Sequence, residues 1–358
     1  MPRHVAFAKK SLAVLAMLMV ISGALFAPRA EAAESHAVVF MYHKFGEDRY
    51  PSTNVTLEQF TTHLDYLENN GFKVWPLARV VKHLREGTPL PDKTVAITID
   101  DAYLSVYENA WPLLKERGWP FTVFVPTGAV DKGYQGYMSW DQMREMARGG
   151  ATFASHSVSH GYLMNRKAGE TRDEWRERMR REITESAARI EEEIGSAEKF
   201  FAYPFGEFDR DLAILVAELG FVGFGQQSGA VGPYSDPRAY PRYPIAEAYA
   251  AIEDFDVKAK SLALPVRSVR PWDPVTTDTR PALEAELADS GARLDRLSCF
   301  VSSQGRVRVE WLDRSERRFR VRPPEPLGTG RSRYNCTAPS SEGGRYYWYS
   351  HPWLVVEE

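Results

Sequence analysis

Along the first two thirds of the chain, short apolar runs alternate with amphipathic stretches at helical spacing. Ala37–His43 (AVVFMYH) reads as a buried strand. Leu57, Phe60, Leu64 and Leu67 then recur at helical spacing, which predicts a helix over Leu57–Asn70 that Thr56 caps and Gly71 stops. A short strand at Phe72–Trp75 and a helix at Leu77–Glu86 lead to Thr94–Ala102 (TVAITIDDA). This run of small and β-branched apolar residues is what a strand buried on both faces looks like. Four helix–strand pairs follow: Tyr107–Arg117 with Phe121–Val125, Trp140–Arg148 with Thr152–Ser155, Thr171–Ile194 with Lys199–Tyr203, and Arg210–Leu219 with Val222–Gly225. Such alternation predicts parallel βαβ units and a barrel-like α/β domain. Functional residues of such barrels gather at the C-terminal ends of the strands.

Residues 258–281 carry proline and no clear periodicity, so a linker is expected there. From 282 to 358 the texture changes to short alternating segments (RVRVEWLD, RFRVRPP, RYYWYSHPWLVV) separated by Gly, Pro, Ser and Asp. These predict a small antiparallel all-β sandwich. Its aromatic cluster, Tyr346–Tyr349 with Trp353, invites a carbohydrate-binding reading, although strand alternation would bury half of it.

With 358 residues the chain has room for one large domain and one smaller one. The apolar content of 44% and charged content of 26% are those of a globular protein. A net charge of −3, with basic stretches at 172–181 and 314–322 interrupted by acids and apolar residues, gives no nucleic-acid-binding surface. At the N-terminus, Arg3, Lys9 and Lys10 precede an apolar Ser11–Ala27 and a small-x-small site at Ala30-Glu31-Ala32. Residues 1–32 thus read as an export signal, with a retained anchor as the alternative. No later segment is long and apolar enough to span a membrane, so none is expected in the mature protein. The two cysteines of this exported chain, Cys299 and Cys336, suggest one structural disulfide.

Candidate chemistry sits at strand ends. Asp100 and Asp101 close the Thr94–Ala102 run, and adjacent carboxylates raise each other's pKa unless a cation neutralises one. His156 and His160 follow in Ser155–His160 (SHSVSH) at i, i+4. One acid with two imidazoles is a common way to hold a divalent metal while leaving positions open to water. Zinc suits this set, and cobalt or nickel would also fit. Such an ion acidifies a water that it binds, and the second carboxylate of the pair is then left as a base for its proton.

Together with Phe201–Gly206 (FAYPFG), the Asp-Asp and His-Ser-x-x-His motifs resemble the polysaccharide deacetylase family, also called NodB homology or carbohydrate esterase family 4. The likeness covers residues 36–257, and Met41–Phe45 (MYHKF) looks like the branch acting on poly-N-acetylglucosamine. The resemblance implies a distorted (β/α) barrel and a metal-dependent hydrolase that removes N-acetyl groups from an N-acetylglucosamine polysaccharide. It implies metal ligation by Asp101, His156 and His160, with Asp100 as base. The chain departs from many members in two ways: Tyr203 stands where they carry a base-orienting arginine, and no late Leu-x-His supplies the acid. His43 is therefore the expected proton donor, as in the branch, and Arg242 the expected substitute for the arginine. Tyr203, Pro204, Phe205, Gly206, Trp140 and Arg242 are expected on the substrate side, with the aromatic residues shaping the sugar pocket. An acetylated glycan is the expected partner, along with polysaccharide export machinery. The alternatives are a catalytically inactive glycan-binding protein, an O-acetyl esterase and a peptidoglycan deacetylase.

Overall fold

Strand and helix alternate as the periodicity predicts, and the strands assemble into one curled parallel sheet. The structure is a computed structural model that describes Met1 and residues 35–357. All but the first residue of the export signal expected over 1–32 therefore lies outside the described residues. The strands run in the order 243–244, 37–42, 94–100, 122–125, 152–155, 198–202 and 222–224, with 73–74 beside 94–100. Ala37–Tyr42 and Thr94–Asp100 are buried along their whole length, as their unbroken apolar runs require. Beyond Val222–Phe224 the sheet continues through irregular backbone. Gly223 donates to the Pro237 carbonyl and Tyr240 to that of Gly223, at 2.9 and 2.8 Å. The chain then pairs through Tyr243–Pro244 with Ala37–Tyr42. This irregular wall makes the (β/α) barrel a distorted one.

Helix limits fall close to the expected ones. Leu57–Asn69 starts at a Thr56–Gln59 capping box, and Leu77–Glu86 and Trp140–Arg148 span the expected residues. The helix expected over 107–117 differs. Its first part, Val106–Ala110, is a π-turn, and only Trp111–Glu116 is α-helical. Pro112 has no N–H to donate back into the preceding turn, which favours the wider winding.

The segment expected as a linker, 258–281, is instead part of the C-terminal module. Leu262–Ala263 and Val275–Thr276 pair with Tyr346–Val355, and Val266–Arg270 pairs with Leu283–Leu287. These stretches are too short to leave a periodic signature in the sequence. The module has a six-stranded sheet built around the long pair Gly330–Pro339 and Tyr346–Val355, and a four-stranded sheet made of 266–270, 283–287, 318–321 and 309–313. Leu283, Phe319 and Val321 from one sheet share a core with Cys299, Tyr334 and Trp353 from the other, which makes it a sandwich. Cys299 and Cys336 lie opposite each other in register and are joined by a disulfide. Tyr347 and Trp353 are buried, whereas Tyr346 is exposed. Barrel and module pack as one compact unit, with Ala263 and Trp348 against the main barrel core. No helix among the described residues is long and apolar enough to cross a membrane.

Candidate active site

Three parallel strands, Thr94–Asp100, Thr152–Ser155 and Ala37–Tyr42, deliver Asp100 and Asp101, the His156–His160 loop, and His43 from their C-terminal ends. Asp101 Oδ1 stands 3.1 Å from His160 Nε2 and 3.4 Å from His156 Nε2. One ligand atom from each of the three residues lies within 4.8 Å of the others. His156 Nδ1 donates to the Ala202 carbonyl at 2.8 Å, which leaves its Nε2 with a free lone pair turned to Asp101. Asp101 Oδ1 is buried and accepts no well-aligned hydrogen bond. A buried carboxylate oxygen facing two ring nitrogens is costly unless a cation sits among them. Donors each about 2.1 Å from a shared ion stand roughly 3.0–3.4 Å apart, so the three residues fit a divalent metal.

The electrostatics agree. Burial alone would push Asp101 up, yet His156 and His160 hold it well below the usual carboxylate range. His156 is raised, against burial, by Asp101 and Asp100. The two shifts together show a carboxylate and an imidazole that stabilise each other's charged forms. Its backbone is also strained. Among the described residues nine non-glycine positions have positive φ, and five of them are here: Asp101, Ala102, Ser157, His160 and Phe205. Ser157 Oγ accepts from the His160 N–H at 2.9 Å. Glu182, from the helix Arg172–Ile194, accepts from the N–H groups of Val158 and Ser159 at 3.0 and 2.9 Å.

Asp100 is fully enclosed, and both its oxygens are gripped by Arg242, Nη1 at 2.7 Å and Nη2 at 2.8 Å. Burial pushes Asp100 up, but Arg242 and then His156 bring it below the ordinary carboxylate range, so it is ionised at neutral pH. Arg242 also donates to the Gly225 carbonyl and to Thr98 Oγ1. Arg242, expected both as the substitute for the base-orienting arginine and on the substrate side, has no exposed surface and makes the Asp100 contact that the first role needs and the second does not. His43 lies in the field of Asp101, Asp100, Arg242 and His156. Burial lowers its pKa and the two carboxylates pull it back.

The Phe201–Gly206 motif divides in two. Tyr203, expected in the sugar pocket, is buried in the core and donates its hydroxyl to the Arg238 carbonyl at 2.7 Å. Pro204 is buried too, and Gly206 serves the turn: with φ at +70°, a Cβ there would stand 2.6 Å from Gln226. Ala202 meets the triad through its carbonyl and Phe205 through its side chain, the ring edge-on to His160 at 4.8 Å and stacked on Tyr162 at 4.3 Å. Trp140 is half-buried and tied by Nε1 to Asp131, with Arg189 over its ring; neither contact belongs to the triad. Residues that the sequence reading missed include Tyr103, whose raised pKa comes from burial and then Asp101, its neighbour Tyr137, and Glu182. Tyr103 follows the Asp pair closely enough to have been suspected, whereas Glu182 carried no signal.

Comparison with known proteins agrees with this architecture. Residues 87–224 match the profile of a family described as polysaccharide deacetylase. A poly-beta-1,6-N-acetyl-D-glucosamine N-deacetylase of Escherichia coli K12 is 26% identical over 230 residues, covering 54% of this chain and 33% of that protein. The chain thus spans about a third of that relative's length. A protein of the same description from Staphylococcus aureus MRSA252 is 24% identical over 58% of this chain and 73% of its own. Among solved structures, IcaB from Ammonifex degensii superposes with a TM-score of 0.55 at 25% identity, covering 63% of this chain and 97% of that one.

Proposed function

We propose that this chain, a member of the polysaccharide deacetylase family through residues 87–224, is an exported, metal-dependent N-deacetylase of an N-acetylglucosamine polymer. The observation that carries the reading is an ionised Asp100, locked by Arg242, beside the unsatisfied Asp101–His156–His160 cluster. When bound by those three residues, a divalent ion would acidify water and polarise the acetamide carbonyl. Zinc is the first choice for the set, with cobalt or nickel also suited. Asp100 takes the proton of the attacking water as general base. The Arg242 fork fixes the direction in which its carboxylate points. His43, whose proton burial loosens, passes one to the leaving amine. Phe205 and Tyr162 present flat rings beside His160 for the sugar. The products are acetate and a free amine on the glycan. The names of the relatives favour a β-1,6-linked poly-N-acetylglucosamine as substrate. The apolar leader favours a place outside the cytoplasm, near polysaccharide export machinery.

The test is acetate release from β-1,6- and β-1,4-linked N-acetylglucosamine oligomers by metal-stripped protein reloaded with zinc, cobalt or nickel. Asp100→Asn should cut turnover by roughly 10²–10⁴-fold while leaving metal content intact. Unchanged glycan affinity with no acetate from the wild type would instead favour a binding protein.

A further inference from the structure

Away from the triad, a cavity of about 150 Å³ lies in the seam between the barrel and the C-terminal module, bordered by 227–241 on one side and by 264–272 and 348–352 on the other. It offers roughly ten times the space that one water needs. Its walls include the rings of Phe208, Tyr234, Trp272, Trp348 and Tyr349. Flat aromatic faces of this kind pack on the C–H faces of pyranose rings.

The charged side chains that line the cavity are already answered. Asp236 is taken up by Arg238 and by Trp272 Nε1, and Arg267 at the rim pairs with Glu286. His351 also lines the cavity; burial pushes its imidazole down to about 3, and its Nε2 has no partner in the protein. An aromatic cavity with a neutral polar group and no spare charge suits an uncharged polyol, not a cationic amino sugar. A narrower cleft shares the wall residues Phe208, Gln227 and Pro352 with the cavity and is bordered at its other side by Phe205, the residue whose ring touches His160. At that cleft Arg331 of the module donates to the Phe205 carbonyl at 3.1 Å.

We propose that the seam cavity is a second sugar subsite, which holds a still-acetylated N-acetylhexosamine unit of the same glycan while another unit lies at Asp101, His156 and His160. This rests on the deacetylase reading and adds a preference for longer, acetylated stretches. Tyr234 and Ser268 lie at the exposed mouth, so changing them spares the core. The experiment compares metal-loaded wild type, Tyr234→Ala and the cavity-filling Ser268→Trp on the dimer and hexamer of β-1,6-linked N-acetylglucosamine. Both variants should lower kcat/KM for the hexamer roughly fivefold, about the loss of one aromatic contact, and leave the dimer unchanged. Equal losses on both lengths, or none on either, would overturn the subsite. If the wild type releases no acetate, the activity proposal has failed on its own account. Calorimetric titration of the hexamer into wild type and Tyr234→Ala then decides the subsite: weaker binding to the variant supports it, and equal or absent binding overturns it.

Discussion

A carboxylate without solvent contact needs its charge answered inside the protein, and for Asp100 one guanidinium does so through two parallel hydrogen bonds. Removing the arginine while keeping its bulk, as in Arg242→Met, leaves a buried anion and should cost about 3–5 kcal/mol. Urea denaturation measures this, and turnover should fall with it because the base loses its orientation. Arg242→Lys should recover part of the stability and little of the rate, since an ammonium cannot form the fork. A second residue-scale effect concerns His63, whose Nε2 donates to the Ala250 carbonyl at 2.8 Å and whose Nδ1 accepts from the Tyr42 hydroxyl at 3.2 Å. Burial pushes it down to about 4. The unfolded chain takes up that proton near the ordinary histidine value, so between about 6.5 and 4 it binds more protons than the native state. Stability should therefore fall as pH drops through that window, by about 3 kcal/mol at most from this group, and level off below it. Denaturation curves of wild type and His63→Gln at pH 7 to 4 should converge as the pH falls; parallel curves would remove His63 from the account.

At the scale of elements, strand ends carry the candidate metal-binding side chains, and one helix steadies the loop that bears two of them. Arg172–Ile194 buries Trp175, Met179, Ile183, Ala187 and Ile190 along one stripe. That packing fixes Glu182 where its carboxylate accepts from the backbone of the His156–His160 loop. The loop contains two left-handed residues, Ser157 and His160, and would relax if the helix released it. Glu182→Ala should weaken metal affinity roughly tenfold to a hundredfold without unfolding the barrel. Competition with a chromogenic chelator reads that change, and an unaltered affinity would make Glu182 a surface residue only.

For the whole molecule, the module is joined to the barrel core and closed on itself. Ala263 and Trp348 lie against the main barrel cluster, while the disulfide links strands 37 residues apart in sequence. Closing a loop of that length in the unfolded chain is worth about 4 kcal/mol in the chain-entropy estimate. The Cys299→Ala, Cys336→Ala double variant should unfold at correspondingly lower urea. Its metal content should be preserved, because the triad belongs wholly to the barrel. Loss of metal at native temperature would show that module and site are coupled more tightly than the packing implies.

By itself the sequence determined the local and periodic features. Helix and strand limits, the buried run Thr94–Asp100 and the strand-end placement of Asp100, Asp101, His156 and His160 are all legible because each depends on neighbours within a few residues. Only the tertiary structure decided what lies opposite. The two-bonded grip of Arg242 on Asp100 spans 142 positions of sequence, a pairing that only the family resemblance hinted at, and Tyr203 turns inward to the Arg238 carbonyl instead of toward the triad. Glu182 reaches the histidine loop from a helix whose pattern records only its apolar stripe. The supposed linker becomes strands because partners in the module exist for it. Periodicity reports which face of an element is buried. Which charge, carbonyl or strand waits on the other side depends on how distant segments pack, and no local pattern encodes it.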